Sequence, residues 1–460
     1  MKQTQTKTFK GLMVSVLAAV MLMGCSAAGS AKTTETAAAA AETAAATAET
    51  TVPAAETSAS YNMSAVESST EYFTERDLQQ TADLTNAVKY TVEDGQDIKI
   101  TEEGVYVLSG TASEVTVTVE AADDAKVQIV LDGVSITNKD FPAIYVINAD
   151  KVFVTTTDSE NTLSVTGTFT QDGTTNTDAV IFAKDDIVLN GTGTLTVNST
   201  ENGVSCKNDL KVTGGTYNMS VTSKAFEAED SILIADGTFN IKAGTDGLHA
   251  EDDEDDTTGM IYIENGTFTI SCGDDAIHAT TTIVIDGGTF TIDGAEGIEA
   301  TNITINDGDL TINASDDGIN AGRKSTAETV AITINGGTIT VNMGAGDTDA
   351  IDSNGDITVN GGTIDITAQS PFDCDGNAQY NGGTIIVNGE TVNAITNQMM
   401  GGMGGMRGMR GNMQGTESGQ MPSSGTGEMP QGQMPSSGTG EMPQGQMPQG
   451  KPGFARGIQS

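Results

Sequence analysis

Apolar and polar side chains alternate in short runs through most of this chain. In "EGIEATNITINDGDLTINASDDGINA" (residues 296–321), Ile303 and Ile305, Leu310 and Ile312, then Ile319 and Ala321 take every other position, with polar turns between the pairs. A period of two predicts strands, here three short ones per unit. The unit recurs. Glycines at 193, 215, 237, 266, 288, 308, 337, 362 and 383 mark equivalent turns, with spacings of 22, 22, 29, 22, 20, 29, 25 and 21 residues. No 3.6-residue pattern appears in this body, and parallel βαβ units need about a dozen crossover residues between strands, which excludes a doubly wound sheet. A unit too short to bury its own apolar face must stack on copies of itself. The prediction is an all-β, right-handed, single-stranded parallel β-helix with three strands per coil.

Stacking puts equivalent residues roughly 4.8 Å apart. Leu195, Tyr217, Phe239, Phe268, Phe290, Leu310, Ile339, Ile364 and Ile385 all follow the glycine turn and are expected to form one inward ladder, so the aromatics among them read as core and not as sugar-stacking surfaces. Upstream, "VQIVLDGVSIT" (127–137) and "AIYVINADKVFVTTT" (143–157) alternate with looser spacing, as earlier, distorted coils would. Residues near 70–125 are expected to cap the helix end.

Outside this body, expected at 70–396, the pattern changes. Residues 1–25 join Lys2, Lys7 and Lys10 to an apolar run from Leu12 to Met23, too short to span a bilayer, and end in "LMGC". That ending resembles the lipobox of bacterial lipoproteins, which implies lipidation of Cys25, a membrane anchor and an extracytoplasmic place at the cell surface. Residues 26–69, mostly Ala, Thr, Glu and Ser, read as a disordered spacer, and 397–460, rich in Gly, Met, Pro and Gln, as a disordered tail. Methionine clusters suit Cu(I), but a flexible tail is the favoured reading. Cys206 and Cys374 share the inward alanine position seven coils apart, roughly 34 Å, too far for a disulfide. With Cys272 they read as small buried side chains.

The 63 acidic residues against 21 basic ones give a formal charge of −42, which argues against nucleic acid, whose binding is driven by Lys and Arg on phosphates. The repeat places many of these acids. One column runs Asn202, Lys224, Asp246, Asp275, Glu296, Asp317, Asp349, Ser370; three residues later a second runs Ser205, Glu227, His249, His278, Glu299, Asn320, Asp352, Asp373. Both columns are expected to face solvent along one edge. Like charges at strand spacing repel, and oxygen ligands in flexible clusters suit Ca²⁺. The two 29-residue spacings come from insertions at one corner, "EDDEDDTT" (251–258) and "GRKSTAE" (322–328). Candidate calcium ligands are therefore Asp246, Glu251, Asp252, Asp275, Glu296, Glu299, Asp317, Asp349, Asp352 and Asp373. Arg323 and Lys324 are candidate glycan contacts, with Arg323 expected beside Asp316 and Asp317. His249 and His278, one in each of two neighbouring coils, offer no basis for a zinc site or a triad.

"ITEEGVYVLSG" (100–110), the two upstream phrases and the "DGI"-type coils resemble bacterial carbohydrate-binding domain proteins whose right-handed β-helix is related to that of pectate lyases, over about residues 72–390. The resemblance implies calcium-bearing β-helices that bind plant cell-wall polysaccharides, including polygalacturonate and cellulose, without established catalysis. With no Trp in the chain, an acidic glycan bridged by Ca²⁺ is favoured over a crystalline neutral one. The expected protein is a monomeric surface lipoprotein that binds polysaccharide. A structural or adhesive surface protein and a polysaccharide lyase, with Arg323 as base, are the alternatives.

Overall fold

Alternation along the chain becomes register between coils. The computed structural model describes residues 72–346 and 348–396. Their strands fall into three parallel ladders, one strand of each per turn of a β-helix. The first ladder starts at Val88–Thr91 and reaches Ala378–Tyr380. The second passes through Glu160–Val165 and Thr194–Ser199 to Thr384–Val387. Near the start the two share long strands, Gly104–Ser113 and Lys126–Asn138, which bend from one ladder into the other. The third ladder is a separate twelve-stranded sheet from Ile98–Ile100 to Asp373–Cys374.

The second ladder carries the predicted core column. Leu195 pairs with Tyr217, Tyr217 with Phe239, and so on through Phe268, Phe290, Leu310, Ile339, Ile364 and Ile385, all buried. Phe239, Phe268 and Phe290 stack face to face, with ring centroids 4.6 and 4.4 Å apart and nearly parallel planes. The glycine before this column holds a positive φ at 215, 237, 266, 288, 308, 337, 362 and 383. At Gly337 an added Cβ would also lie 2.7 Å from the Gly308 carbonyl oxygen, so a side chain is excluded there by backbone conformation and by the coil below. No disulfide joins Cys206 to Cys374, as the ladder spacing requires; Cys206 is buried, while Cys272 is only half-buried.

The two ends differ from the sequence expectation. Residues 88–125 do not form a cap; Val88–Thr91 and Ile98–Ile100 are already ladder strands. The segment 72–80 instead lies as a strap across the outer side of the first ladder, where apolar side chains point outward and need cover. Phe73 is buried with Leu233 and Tyr262, and Arg76 lies 4.6 Å from the centre of the Phe153 ring. Gln80 donates to the Thr213 carbonyl and accepts from the Gly191 amide, both at 2.8 Å. Asp77, 1% exposed, sits between Lys151 at 3.5 Å and Lys211 at 3.9 Å. At the other end Glu390–Val392 folds back antiparallel on Thr384–Val387 through Asn388 and Gly389, both at positive φ, the turn a tight hairpin prefers. This hairpin covers the last edge of the second ladder. The Cys25 lipobox, the spacer and the methionine-rich tail lie outside the described residues.

Candidate functional site

Along each strand of the third ladder the residues flanking the outward position point into the core, so outward side chains form columns across the coils. The second sequence-predicted column is realised in register: Ser205, Glu227, His249, His278, Glu299, Asn320, Asp352 and Asp373 pair in succession. It extends upstream to Phe182 and Tyr145. Its chemistry changes along the axis. Tyr145 and Phe182 are buried together with Phe141 beside them. Glu227 is held by Ser205 at 2.8 Å, Asn202 at 3.0 Å and Lys224 at 2.7 Å.

The middle of the column carries two histidines. Their rings stack with centroids 4.6 Å apart and planes 15° from parallel, because register puts His249 directly beside His278. Nδ1 of His249 lies 2.9 Å from Asp246, and Nδ1 of His278 lies 2.7 Å from Asp275 and 3.0 Å from Glu299. Glu251, the first residue of the first insertion, reaches back to Nε2 of His249 at 3.1 Å and stands 3.8 Å from Nε2 of His278. Lys324, from the second insertion, pairs with Glu299 at 2.8 Å. Burial disfavours charge on His278, but the Asp275 and Glu299 carboxylates outweigh it and push the imidazole up to about 9. The hydrogen bond with His249 holds Glu251 down to about 2. Burial opposes ionisation of Glu299 as well, yet His278 and Lys324 bring it to about 2. This stretch is internally neutralised.

Further along, neutralisation stops. Glu296 is pushed up to about 8 by burial and then by Glu299 and Asp275, with only the Asn320 amide, 3.1 Å away, favouring its charge. Burial and the carboxylates of Asp317, Asp373, Asp349 and Asp375 push Asp352 up to about 7. Asp317 rises to about 6, chiefly through burial, although it accepts from the Asp349 amide at 3.0 Å. Asp317, Asp352 and Asp373 form no ion pair among the described residues. Apart from the Asn320 amide, the side chains of Glu296, Asp317, Asp349, Asp352 and Asp373 offer carboxylate oxygens, the kind of donor a hard divalent cation takes.

The family model for carbohydrate-binding domain-containing proteins matches residues 94–350 and again 294–419, which together take in every strand of the third ladder. The chain belongs to this family. A carbohydrate-binding domain-containing protein of Acetivibrio thermocellus is 37% identical over 126 residues, which span 26% of this chain and 43% of that relative. The chain thus covers less than half the length of the curated relative it matches. A solved polysaccharide lyase-like protein from C. thermocellum, a gadolinium derivative, aligns at 22% identity over 66% of this chain and 94% of its own, with a TM-score of 0.32.

In this member of the carbohydrate-binding domain family the predicted site residues separate into three groups. Asp246, Glu251, Asp275 and Glu299 gather around the histidines. Glu296, Asp317, Asp349, Asp352 and Asp373 form the acidic stretch. Asp252 joins neither; its carboxylate accepts from the Glu254 amide at 2.8 Å and shapes the inserted loop's own turn. Two expectations need correction. The columns do not stand fully in solvent: Asp246, Asp275, His249 and His278 are buried, because side chains stacked at strand spacing cover one another. Arg323 stays exposed and makes no ion pair among the described residues, while the neighbouring Lys324 reaches the column. The cause is Thr301, whose hydroxyl accepts from the amides of Lys324 at 3.0 Å and Ser325 at 2.8 Å and draws the second insertion over its own coil. The two insertions meet there, the Thr326 amide donating to Asp256 at 3.0 Å. Sequence reasoning also set the histidines aside for lying in neighbouring coils. In a stacked ladder that is the placement that brings them together.

Proposed function

We propose that the protein binds an acidic polysaccharide through calcium held by the carboxylate stretch of the third ladder, Glu296, Asp317, Asp349, Asp352 and Asp373. The observation that carries this reading is the crowding around Asp352, whose neighbours are other carboxylates and whose charge is opposed by burial and by each of them. A divalent cation relieves that repulsion, and its remaining coordination positions suit the carboxylates and hydroxyls of a uronic-acid polymer. Without such a cation, a chain of charge −42 would repel an anionic glycan. Family membership supports carbohydrate as the ligand. The surface disfavours stacking on a neutral crystalline glycan: among the described residues the exposed large apolar side chains are Leu78, Leu84 and Val88, with no aromatic.

Display at the cell surface through lipid on Cys25 belongs to the same reading. A Cys25→Ser chain is expected to leave the membrane fraction or to remain unprocessed; equal acylation and membrane retention would contradict the anchor. The binding claim is tested on a glycan array read first with calcium and then with chelator. The expected result is retention of polygalacturonate in calcium alone, with no unsaturated product. Calcium-dependent release of unsaturated product would move the reading to a lyase, and no signal for any acidic glycan would remove it.

A further inference from the structure

The histidine pair has a geometry that calcium binding does not use. Nδ1 of His278 is hydrogen-bonded to Asp275 at 2.7 Å and lies 3.0 Å from Glu299, while Nδ1 of His249 lies 2.9 Å from Asp246 without the geometry of a hydrogen bond. This leaves the two Nε2 atoms on the side where Glu251 reaches back from the inserted loop. One donor atom from each of His249, Glu251 and His278 lies within 4.8 Å of the others. His278 is 7% exposed, and its Nε2 is buried without a hydrogen-bond partner. A carboxylate on the far nitrogen of a histidine is the usual outer-shell arrangement of a metal ligand, since it fixes ring orientation and raises ligand basicity.

We propose that His249 Nε2, His278 Nε2 and a Glu251 carboxylate oxygen form a binding site for a borderline transition-metal dication such as Zn²⁺, separate from the calcium-binding carboxylates. Imidazole nitrogen selects this class and is a poor ligand for calcium. Three protein donors leave a fourth position for water or a ligand oxygen. The ion takes the place of the protons on the Nε2 atoms and of the 3.1 Å contact between Glu251 and His249. Bond lengths of about 2.0–2.1 Å to zinc draw Glu251 and the two rings inward. The first insertion is thereby clipped to the ladder at its first residue, while Asp256 holds it to the second insertion.

The test is titration of the full chain with Zn²⁺, and with Co²⁺ as a spectroscopic probe, in calcium-saturated buffer. The chain has two histidines, so both imidazole proton resonances are expected to shift together at one equivalent of Zn²⁺. Co²⁺ is expected to give the intense visible bands of a four-coordinate ion. His278→Gln and Glu251→Gln abolish both signals. Asp275→Asn, which keeps every ligand and removes the carboxylate hydrogen-bonded to His278 Nδ1, weakens binding roughly 10–100-fold. Asp352→Asn leaves Zn²⁺ affinity unchanged. Glu251 stands on a half-exposed loop, so Glu251→Gln is readable even where a histidine variant fails to fold. Zn²⁺ affinity unchanged in Glu251→Gln, or resonances of the two histidines that do not move, would overturn the site.

Discussion

Asp352 shows how one residue's surroundings set what it can do. Asp352, Asp317 and Glu296 keep protons in the folded, calcium-free protein up to about 7, 6 and 8, whereas the unfolded chain releases them near 4. The folded state then holds the excess protons, so stability is fully present below the unfolded values and is lost as pH rises through the folded ones. His278, raised to about 9, adds loss in the same direction above its unfolded value. Glu251 and Glu299, held at about 2, act oppositely and withdraw stability only as pH falls below the usual carboxylate range. In chelator, Tm is therefore expected to fall steadily between pH 5 and pH 8; a Tm constant over that range would contradict the crowding. Calcium at a hundred times its Kd is expected to restore about 2.7 kcal/mol per site. Asp352→Asn should act with opposite signs, raising Tm in chelator at pH 8 and weakening calcium binding by roughly tenfold, since ligand charge count tunes such sites. Thermal melts at both conditions check this, and a fall in Tm in chelator would show that Asp352 is paired favourably in the apo protein.

At the scale of elements, the ladders separate what stabilises from what binds. Phe268 is buried between Phe239 and Phe290 in the second ladder, away from the third. Phe268→Ala is expected to cost about 3–5 kcal/mol in denaturant melts while calcium affinity of the folded fraction stays the same. Asp77→Ala in the strap leaves Lys151 and Lys211, each about a tenth exposed, without their shared carboxylate, at a cost of about 3–5 kcal/mol. A loss below 1 kcal/mol would mean that the strap is not held by this pairing. The coils were legible because period-two alternation and the glycine turn recur in nearly every unit, so Leu195 to Ile385 could be aligned by eye. The strap was not, since "YFTERDLQQ" (72–80) has no repeat and its partners are outward residues such as Leu233 and Tyr262, which read as ordinary strand positions. The Asn-Gly hairpin at 388–389 was visible as a turn signal but fell beyond the last regular coil. An asparagine stack on the turns, Asn335 to Asn306 at 2.7 Å and Asn360 to Asn335 at 2.8 Å, was equally present in the repeat and passed over in favour of the acids. At the site, sequence spacing placed every column member, but not the reach of Glu251 or the pull of Thr301 on Lys324, which depend on how inserted loops fold back.

For the whole molecule, the third ladder grades from a covered aromatic stretch at Tyr145 and Phe182 through a self-neutralised histidine centre to a carboxylate stretch in which Asp317, Asp352 and Asp373 make no ion pair among the described residues. On the proposed function, that gradient assigns calcium and glycan to one part of a long surface, and the overall charge of −42 is compatible with an anionic polymer only where calcium sits. The most direct measurement is calorimetric titration of polygalacturonate into the full chain, wild type and Asp317→Ala, each in calcium and in chelator. The account predicts binding by the wild type in calcium alone and loss of that binding in Asp317→Ala. Equal binding by the wild type in chelator, or undiminished binding by Asp317→Ala in calcium, would contradict it.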